Sequence, residues 1–393
     1  MTLESSGRPP RADFLPYSLP LIGEEEIAEV VDTLRSGWLT TGPKTRRFEE
    51  AVAAFTGAKH CVAVSSNTAG LHLQLAAHDI GPGDEVIVPS LTFCSTANVV
   101  QHLGARPVLV EVRADFNIDP DAVRAAITPR TRAVMPVHYA GQPADMDELH
   151  AIAKAARIEV LEDAAHAIGV SYRGRQVGTL SRAATFSFYA TKNLTTGEGG
   201  MIALDDDDLA VRLRRLALHG MSRDAWKRYT AAGSWYYEVL EAGYKYNMTD
   251  LQASLGLHQL NRLRGFNASR LSIADRYDAA FQGLPLRVPI RHADREHNFH
   301  LYVILLELDG LRIDRASFID RLSARQIGAS VHYVPVHMHP AYATQFGYRP
   351  EDLPLTRDLY ERMISLPLYP RMTERDVQDV IDAVADICRE ERA

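Results

Sequence analysis

Cysteine is scarce: Cys61, Cys94 and Cys388 are the three in 393 residues. Their number is odd, their spacing is wide and no CxxC pair occurs, which argues against a disulfide framework or a structural zinc site and predicts a reducing cytoplasm. Long apolar runs are missing too. No stretch approaches the roughly 18–20 residues that span a bilayer, so a membrane helix is not expected. The first 20 residues carry prolines and scattered charge rather than the apolar core of a secretory leader. Positive charge is not in excess. The net charge of -7 argues against a nucleic-acid coat or an anionic membrane as partner, and leaves room for a local basic pocket. Nucleotide fingerprints are lacking as well. Gly197-Glu198-Gly199-Gly200 leads into Met201–Leu204, which reads as a strand, whereas GxGxxG must open a helix. No GxxxxGK[ST] occurs, and neither does a repeat or a low-complexity tract.

What is present supports a large core. Hydrophobic residues make up 46% of the chain, and its length suits two domains. The N-terminal arm, residues 1–20, reads as irregular. Helical spacing predicts helices over 23–34 and 48–55. From residue 60, short apolar strands alternate with helical stretches: strands at 60–64, 85–89, 107–112, 133–138, 158–162 and 183–189, with helices at 68–78, 95–103, 120–127 and 146–156. That alternation predicts an α/β fold with a mostly parallel central sheet and helices on both faces. Functional groups then collect at the carboxyl ends of the strands. Further helices are expected at 209–218 and 249–263. The segment 221–246, rich in Trp and Tyr, is too long for a routine connection and reads as a lid or an interface. The remainder mixes strands (301–306, 330–334) with helices (315–322, 374–387) as a smaller C-terminal α+β domain. The expected division is 1–255 for the large domain and 256–393 for the small one.

Two charged residues stand at strand ends. Asp163 follows the apolar run 158–162, and Lys192 follows 183–189 beside Gly197, Gly199 and Gly200. A lysine so placed is open to desolvation, which depresses its pKa and makes it a nucleophile able to form a Schiff base. An Asp and a Lys on neighbouring strand ends match the needs of pyridoxal 5'-phosphate (PLP). The lysine holds the aldehyde, and the carboxylate keeps the pyridine nitrogen protonated. Ser65-Ser66-Asn67-Thr68-Ala69-Gly70 joins a strand to a helix. It reads as a phosphate site or as an ordinary cap at Asn67 or Thr68. Ser187 offers a hydroxyl to the same phosphate, Phe93 a ring to stack on the pyridine, and His166 a contact to the phenolic oxygen. His332, His337 and His339 form a histidine-rich stretch, but Pro335 and Pro340 interrupt it and no HExxH accompanies it, so no metal site is expected.

Five segments, SNTAG (66–70), PSLTFCSTA (89–97), IEVLEDAAHA (158–167), TFSFYATKNLTTGEGG (185–200) and GYKYNMTDLQA (243–253), resemble the DegT/DnrJ/EryC1/StrS sugar aminotransferases. These belong to the aspartate aminotransferase superfamily, PLP fold type I. The resemblance runs from about residue 15 to Pro370. It implies Lys192 as the aldehyde-bearing lysine and Asp163 as the pyridinium partner. Thr68, Ala69 and Ser187 then hold the phosphate, Phe93 stacks on the ring and His166 lies near the phenolic oxygen. Asn247 reaches the phosphate of a neighbouring subunit's cofactor, which makes a homodimer with shared active sites the catalytic unit. Many relatives carry His where Tyr189 stands. Lys192 separates the chain from a dehydratase branch that has histidine there.

The 243–250 segment looks most like relatives that aminate C4 of a nucleotide-linked 4-keto sugar with L-glutamate as donor. C3 amination of a 3-keto sugar is the alternative. Trp38, Tyr189, Lys245 and His332 are the candidate substrate contacts, with Lys245 facing a diphosphate. A PLP-fold ligand sensor and a hydrolase built on the histidine stretch are the readings from other classes.

Overall fold

The computed structural model describes residues 11–222 and 236–393. Residues 1–10 of the arm, and Trp226, Tyr229 and Trp235 of the aromatic segment, lie outside the described residues.

The chain opens with α1 (Glu24–Ser36) and α2 (Pro43–Thr56). It then alternates through β1 (His60–Val64), α3 (Asn67–Ala77), β2 (Glu85–Pro89), α4 (Ser95–His102), β3 (Arg106–Val110), α5 (Pro120–Ala126), β4 (Thr131–Val134), α6 (Met146–Ala156) and β5 (Glu159–Asp163). A small hairpin, β6 (Ser171–Tyr172) and β7 (Arg175–Gln176), precedes β8 (Ala183–Ser187), β9 (Gly200–Leu204) and α7 (Asp207–Leu216). The seven-stranded sheet has the order β1-β9-β8-β5-β4-β2-β3. Strand β9 runs against both its neighbours, and the other six strands are parallel to one another.

Side chains alternate across this sheet with the period of two that a pleated strand imposes. Ala63, Ile87, Val160, Phe186 and Met201 face a core built with Phe48, Leu149 and Leu260. On the other face, Val86, Val88 and Leu161 pack with Leu71, Leu75 and Val99, while Val62 and Ile202 pack with Leu209 and Leu213. Helices therefore cover both faces, as the alternation predicts. Glycine lets α3 lie close to the sheet: a Cβ on Gly70 would come within 2.5 Å of Thr185 Cγ2.

Helix α2 starts five residues before the expected Phe48. Pro43 sits at its first position, where a missing N–H costs nothing. The buried Asp250 carboxylate accepts from the backbone N–H groups of Gly42 (2.8 Å), Lys44 (3.0 Å) and Thr45 (2.8 Å), as a side chain from a distant part of the chain replacing a local cap. Asp250 also begins α8 (Asp250–Ala280), a 31-residue helix that continues past the expected end at Leu263. Residue 255 lies within it. Ala253, Leu260 and Leu263 join the core of the large sheet, while Ile273, Ala274 and Tyr277 join a second core. Burial at helical spacing on both sides carries the helix through Gly265 and Asn267, residues of low helix propensity.

The second core is covered by the antiparallel sheet β10 (Leu286–Arg287), β11 (Tyr302–Leu306) and β12 (Met363–Leu366). Helices α9 (Arg315–Ala324), α10 (Pro340–Phe346), α11 (Pro354–Arg362) and α12 (Glu374–Glu390) complete the chain. The strand expected at 330–334 does not form. Ser330 makes a single bridge to Ser365, and the strand beside β11 is β12. The arm is pinned by backbone bonds of Leu15 with Gln326 and Gly328, both 2.8 Å, and by Arg11 between Asp376 and Asp379. Among the described residues no helix is long and apolar enough to cross a membrane.

Candidate active site

The parallel strands deliver their last residues to one edge of the sheet. Asp163 ends β5, and Ser187 ends its neighbour β8. Ser66 and Asn67 follow β1, Phe93 and Thr96 follow β2, and Gly200, at the start of the reversed β9, pairs with Ser187. Lys192 lies in the turn after β8, its N–H bonded to Tyr189 O at 2.9 Å. The expected grouping of Asp163, Ser187, Lys192 and the 66–69 turn is therefore present.

Asp163 is buried and fully engaged. One carboxylate oxygen accepts from Thr96 Oγ1 at 2.9 Å. The other accepts from Ala165 N at 3.1 Å and Asn67 Nδ2 at 3.3 Å. Burial pushes its pKa up, while the Thr96 hydroxyl, the Ala165 N–H, the Lys192 charge and the Asn67 amide oppose that rise. Lys192 is partly buried, and desolvation draws its amine down to about 8 against the pull of Asp163. At neutral pH a useful fraction is then the unprotonated nucleophile.

Around Lys192 stand residues that the sequence reading did not single out. His300 Nε2 lies 3.4 Å from Lys192 Nζ, and its ring meets His166 at a tilt of 37° with centroids 4.3 Å apart. His166 accepts from Ala140 N at Nδ1 (3.3 Å), so its proton sits on Nε2, which faces Tyr333 OH at 3.3 Å. Burial and the nearby Lys192 charge hold His166 well below its ordinary pKa. It is thus a neutral N–H donor, the form suited to a phenolate oxygen. Tyr333 also meets Phe93, whose ring is 55% exposed at the site. Thr96, His300 and Tyr333 give no local signal, since the partner of each is set by tertiary structure; Asn67, expected in the 65–70 turn, adds a bond to Asp163 that the sequence does not show.

The 65–70 turn differs in detail from expectation. Ser66, rather than Asn67 or Thr68, caps α3, and its Oγ takes the Ala69 N–H at 3.1 Å. Ala69 N–H is thereby already used. The N–H groups of Asn67 and Thr68 stay at the open helix end, where an anion is favoured. Gly200 runs so close beneath this turn that a Cβ there would sit 2.6 Å from the Ser66 carbonyl carbon. An open helix end beside Ser187, a buried carboxylate, a desolvated amine and an exposed aromatic face together fit PLP.

The other candidates are placed as follows. Trp38 and Asn247 meet at Thr41: Trp38 Nε1 donates to its carbonyl (3.2 Å) and Asn247 Nδ2 to its hydroxyl (2.6 Å). Asn247 also bridges Val64, just before the phosphate turn. His332 bonds Ser365 Oγ at 2.9 Å and its ring meets that of Tyr333 with centroids 5.0 Å apart, which places it near the site; burial and Lys192 draw its pKa down to about 4. Tyr189 and Lys245 are exposed. His337 instead is pinned between Ser90 Oγ (2.6 Å) and Pro350 O (3.3 Å). Among the described residues no group of three or more His, Cys, Asp or Glu side chains is placed to hold a metal.

Comparison with known proteins agrees with this geometry. Residues 20–385 match the DegT/DnrJ/EryC1/StrS aminotransferase family. The chain belongs to that family. It is a PLP-dependent aminotransferase of fold type I. The chain is 54% identical to the spore coat polysaccharide biosynthesis protein SpsC of Bacillus subtilis, over 96% of this chain and 98% of that protein. Among solved structures it is similar to Spr1654 of Streptococcus pneumoniae in its PMP form, with 36% identity, 96% and 99% coverage and a TM-score of 0.90. Spr1654 is also solved in a PLP form. The sugar aminotransferase CalS13 of Micromonospora echinospora matches at 33% identity, 94% and 99% coverage and a TM-score of 0.85. The family and these neighbours support sugar aminotransferase activity.

Proposed function

We propose that this aminotransferase moves the amino group of L-glutamate to C4 of a nucleotide-linked 4-keto-6-deoxyhexose. The observation that carries the transaminase chemistry is the pairing of a desolvated Lys192 amine with the buried, hydrogen-bonded Asp163 at one sheet edge. The C4 assignment rests on the resemblance of the 243–250 segment to C4-aminating relatives. C3 amination of a 3-keto sugar is the second reading.

PLP supplies an electrophilic aldehyde and a ring that takes up electrons. Lys192 Nζ would hold the aldehyde carbon, and its amine, when free, would carry a proton to and from the substrate carbon as base and then acid. Its pKa of about 8 suits both roles. Asp163, its carboxylate held by Thr96, Ala165 and Asn67, would keep the ring nitrogen protonated. His166 would donate to the ring oxygen from Nε2. Thr68, Ser187 and the open helix end would hold the phosphate, and Phe93 would cover the ring. Asn247 serves the cofactor of a second subunit, so that a homodimer is the working unit in the cytoplasm. Trp38, Tyr189, Lys245 and His332 contact the sugar nucleotide.

The test is a panel of nucleotide-linked 3-keto and 4-keto sugars offered with L-glutamate, with NMR locating the carbon that gains nitrogen. Nitrogen at C4 supports the assignment, and nitrogen at C3 replaces it with the second reading.

A further inference from the structure

The histidine that touches Lys192 has its protonation pattern fixed by a chain of amides. Asn267 Nδ2 reaches the carbonyls of Ile168 (3.4 Å) and Gly169 (3.5 Å). A carbonyl only accepts, so the Asn267 oxygen turns the other way and takes a bond from Asn193 Nδ2 at 2.8 Å. Asn193 Nδ2 also donates to Asn298 O at 3.2 Å. The Asn193 oxygen is left to face His300 Nδ1, 3.1 Å away. Nδ1 must therefore carry the hydrogen, which puts the lone pair on Nε2, the atom 3.4 Å from Lys192 Nζ. The main chain is held as well: Arg270 Nη1 donates to Phe299 O (3.2 Å), His300 O (3.4 Å) and Leu368 O (2.7 Å), and His300 N donates to Asn298 Oδ1 (3.1 Å). The ring has little freedom to turn.

We propose that His300 is a positioning residue: its Nε2 lone pair accepts one N–H of Lys192 and so aims the amine's own lone pair. This rests on the reading of Lys192 as the aldehyde-binding lysine. His300 does not take the proton. Burial holds it well below its ordinary pKa, and Lys192, His166, Arg270 and His332 each add to that depression. The imidazole therefore works as a fixed acceptor beside the mobile amine. It holds Lys192 Nζ when the amino donor has displaced it, and it keeps the amine from swinging toward Asp163 as a simple ion pair.

The test uses the full chain freed of PLP. Histidine 15N NMR across roughly pH 6–9 reads the tautomer, with His300 predicted to stay neutral with hydrogen on Nδ1. Acetylation of Lys192 as a function of pH, read by mass spectrometry of its peptide, is compared in His300→Leu and His300→Gln. Loss of the acceptor in His300→Leu lowers the labelling midpoint, because the acceptor favours the ammonium form, and the Gln carbonyl restores it. In the PLP-loaded protein, His300→Leu lowers kcat by about 10²-fold with KM little changed, and Gln recovers part of the loss. Hydrogen on Nε2, or a Lys192 midpoint that His300→Leu leaves unmoved, overturns the proposal. Both readouts need no cofactor, so they stand apart from failure of PLP to attach to Lys192, which would strike the functional reading instead.

Discussion

Gly200 passes directly beneath Ser66: a Cβ on Gly200 would lie 2.6 Å from the Ser66 carbonyl carbon and 2.7 Å from Asn67 N. Strand β9 and the start of α3 are backbone against backbone there, and neither can yield as a flexible side chain would. Gly200→Ala is expected to cost about 1–3 kcal/mol of stability through overpacking. It also displaces the N–H groups of Asn67 and Thr68, proposed above to face the phosphate. Chemical denaturation and the PLP content after dialysis check this. Wild-type stability together with full cofactor retention would contradict the cradle.

Asp163→Asn replaces a charge with a neutral side chain of the same shape. The Asn carbonyl still accepts from Thr96 or Ala165, so the fold is retained. The stabilising anion is lost, and kcat is expected to fall by about 10²–10³-fold, in line with the loss of a preorganised electrostatic partner. Steady-state kinetics on PLP-saturated protein measure it. A fall smaller than about tenfold would remove Asp163 from the ring-nitrogen role.

On the opposite face of β5 from Asp163, Glu162 and His138 form a fully buried pair at 2.7 Å. His138 Nδ1 accepts from Ala144 N at 3.1 Å, so Nε2 carries the hydrogen and donates to Glu162. Glu162 Oε1 finds no donor among the described residues. His138→Leu strands the carboxyl group and is expected to cost about 3–5 kcal/mol. The double replacement His138→Leu with Glu162→Leu costs less, because no buried charge remains. Urea unfolding of the two variants decides it: a single variant no worse than the double would show that the pair is not coupled.

How much of this was legible beforehand follows from which interactions are local. The alternation of strands and helices sets the sheet and places Asp163, Ser187 and Lys192 at strand ends, so the centre of the site could be read from periodicity and residue type. The early start of α2 could not, since Asp250 that caps it is some 200 residues away. Nor could the true partner of β11, because Ser330–Val334 and Met363–Leu366 are both short apolar runs and tertiary pairing chose the second. His300 was hidden for the same reason: it is one histidine among 15, and its contact with Lys192 spans 108 residues. Trp38 and Asn247 were read separately, and only the fold joins them through Thr41.

The central claim is that Lys192 Nζ binds the aldehyde of PLP. Purified protein is incubated with PLP, its visible absorbance is recorded, and borohydride is added before digestion and mass spectrometry. The account predicts an absorbance that borohydride removes and a pyridoxyl group fixed on the peptide containing Lys192. A colourless protein, or a label carried by another lysine, would contradict it.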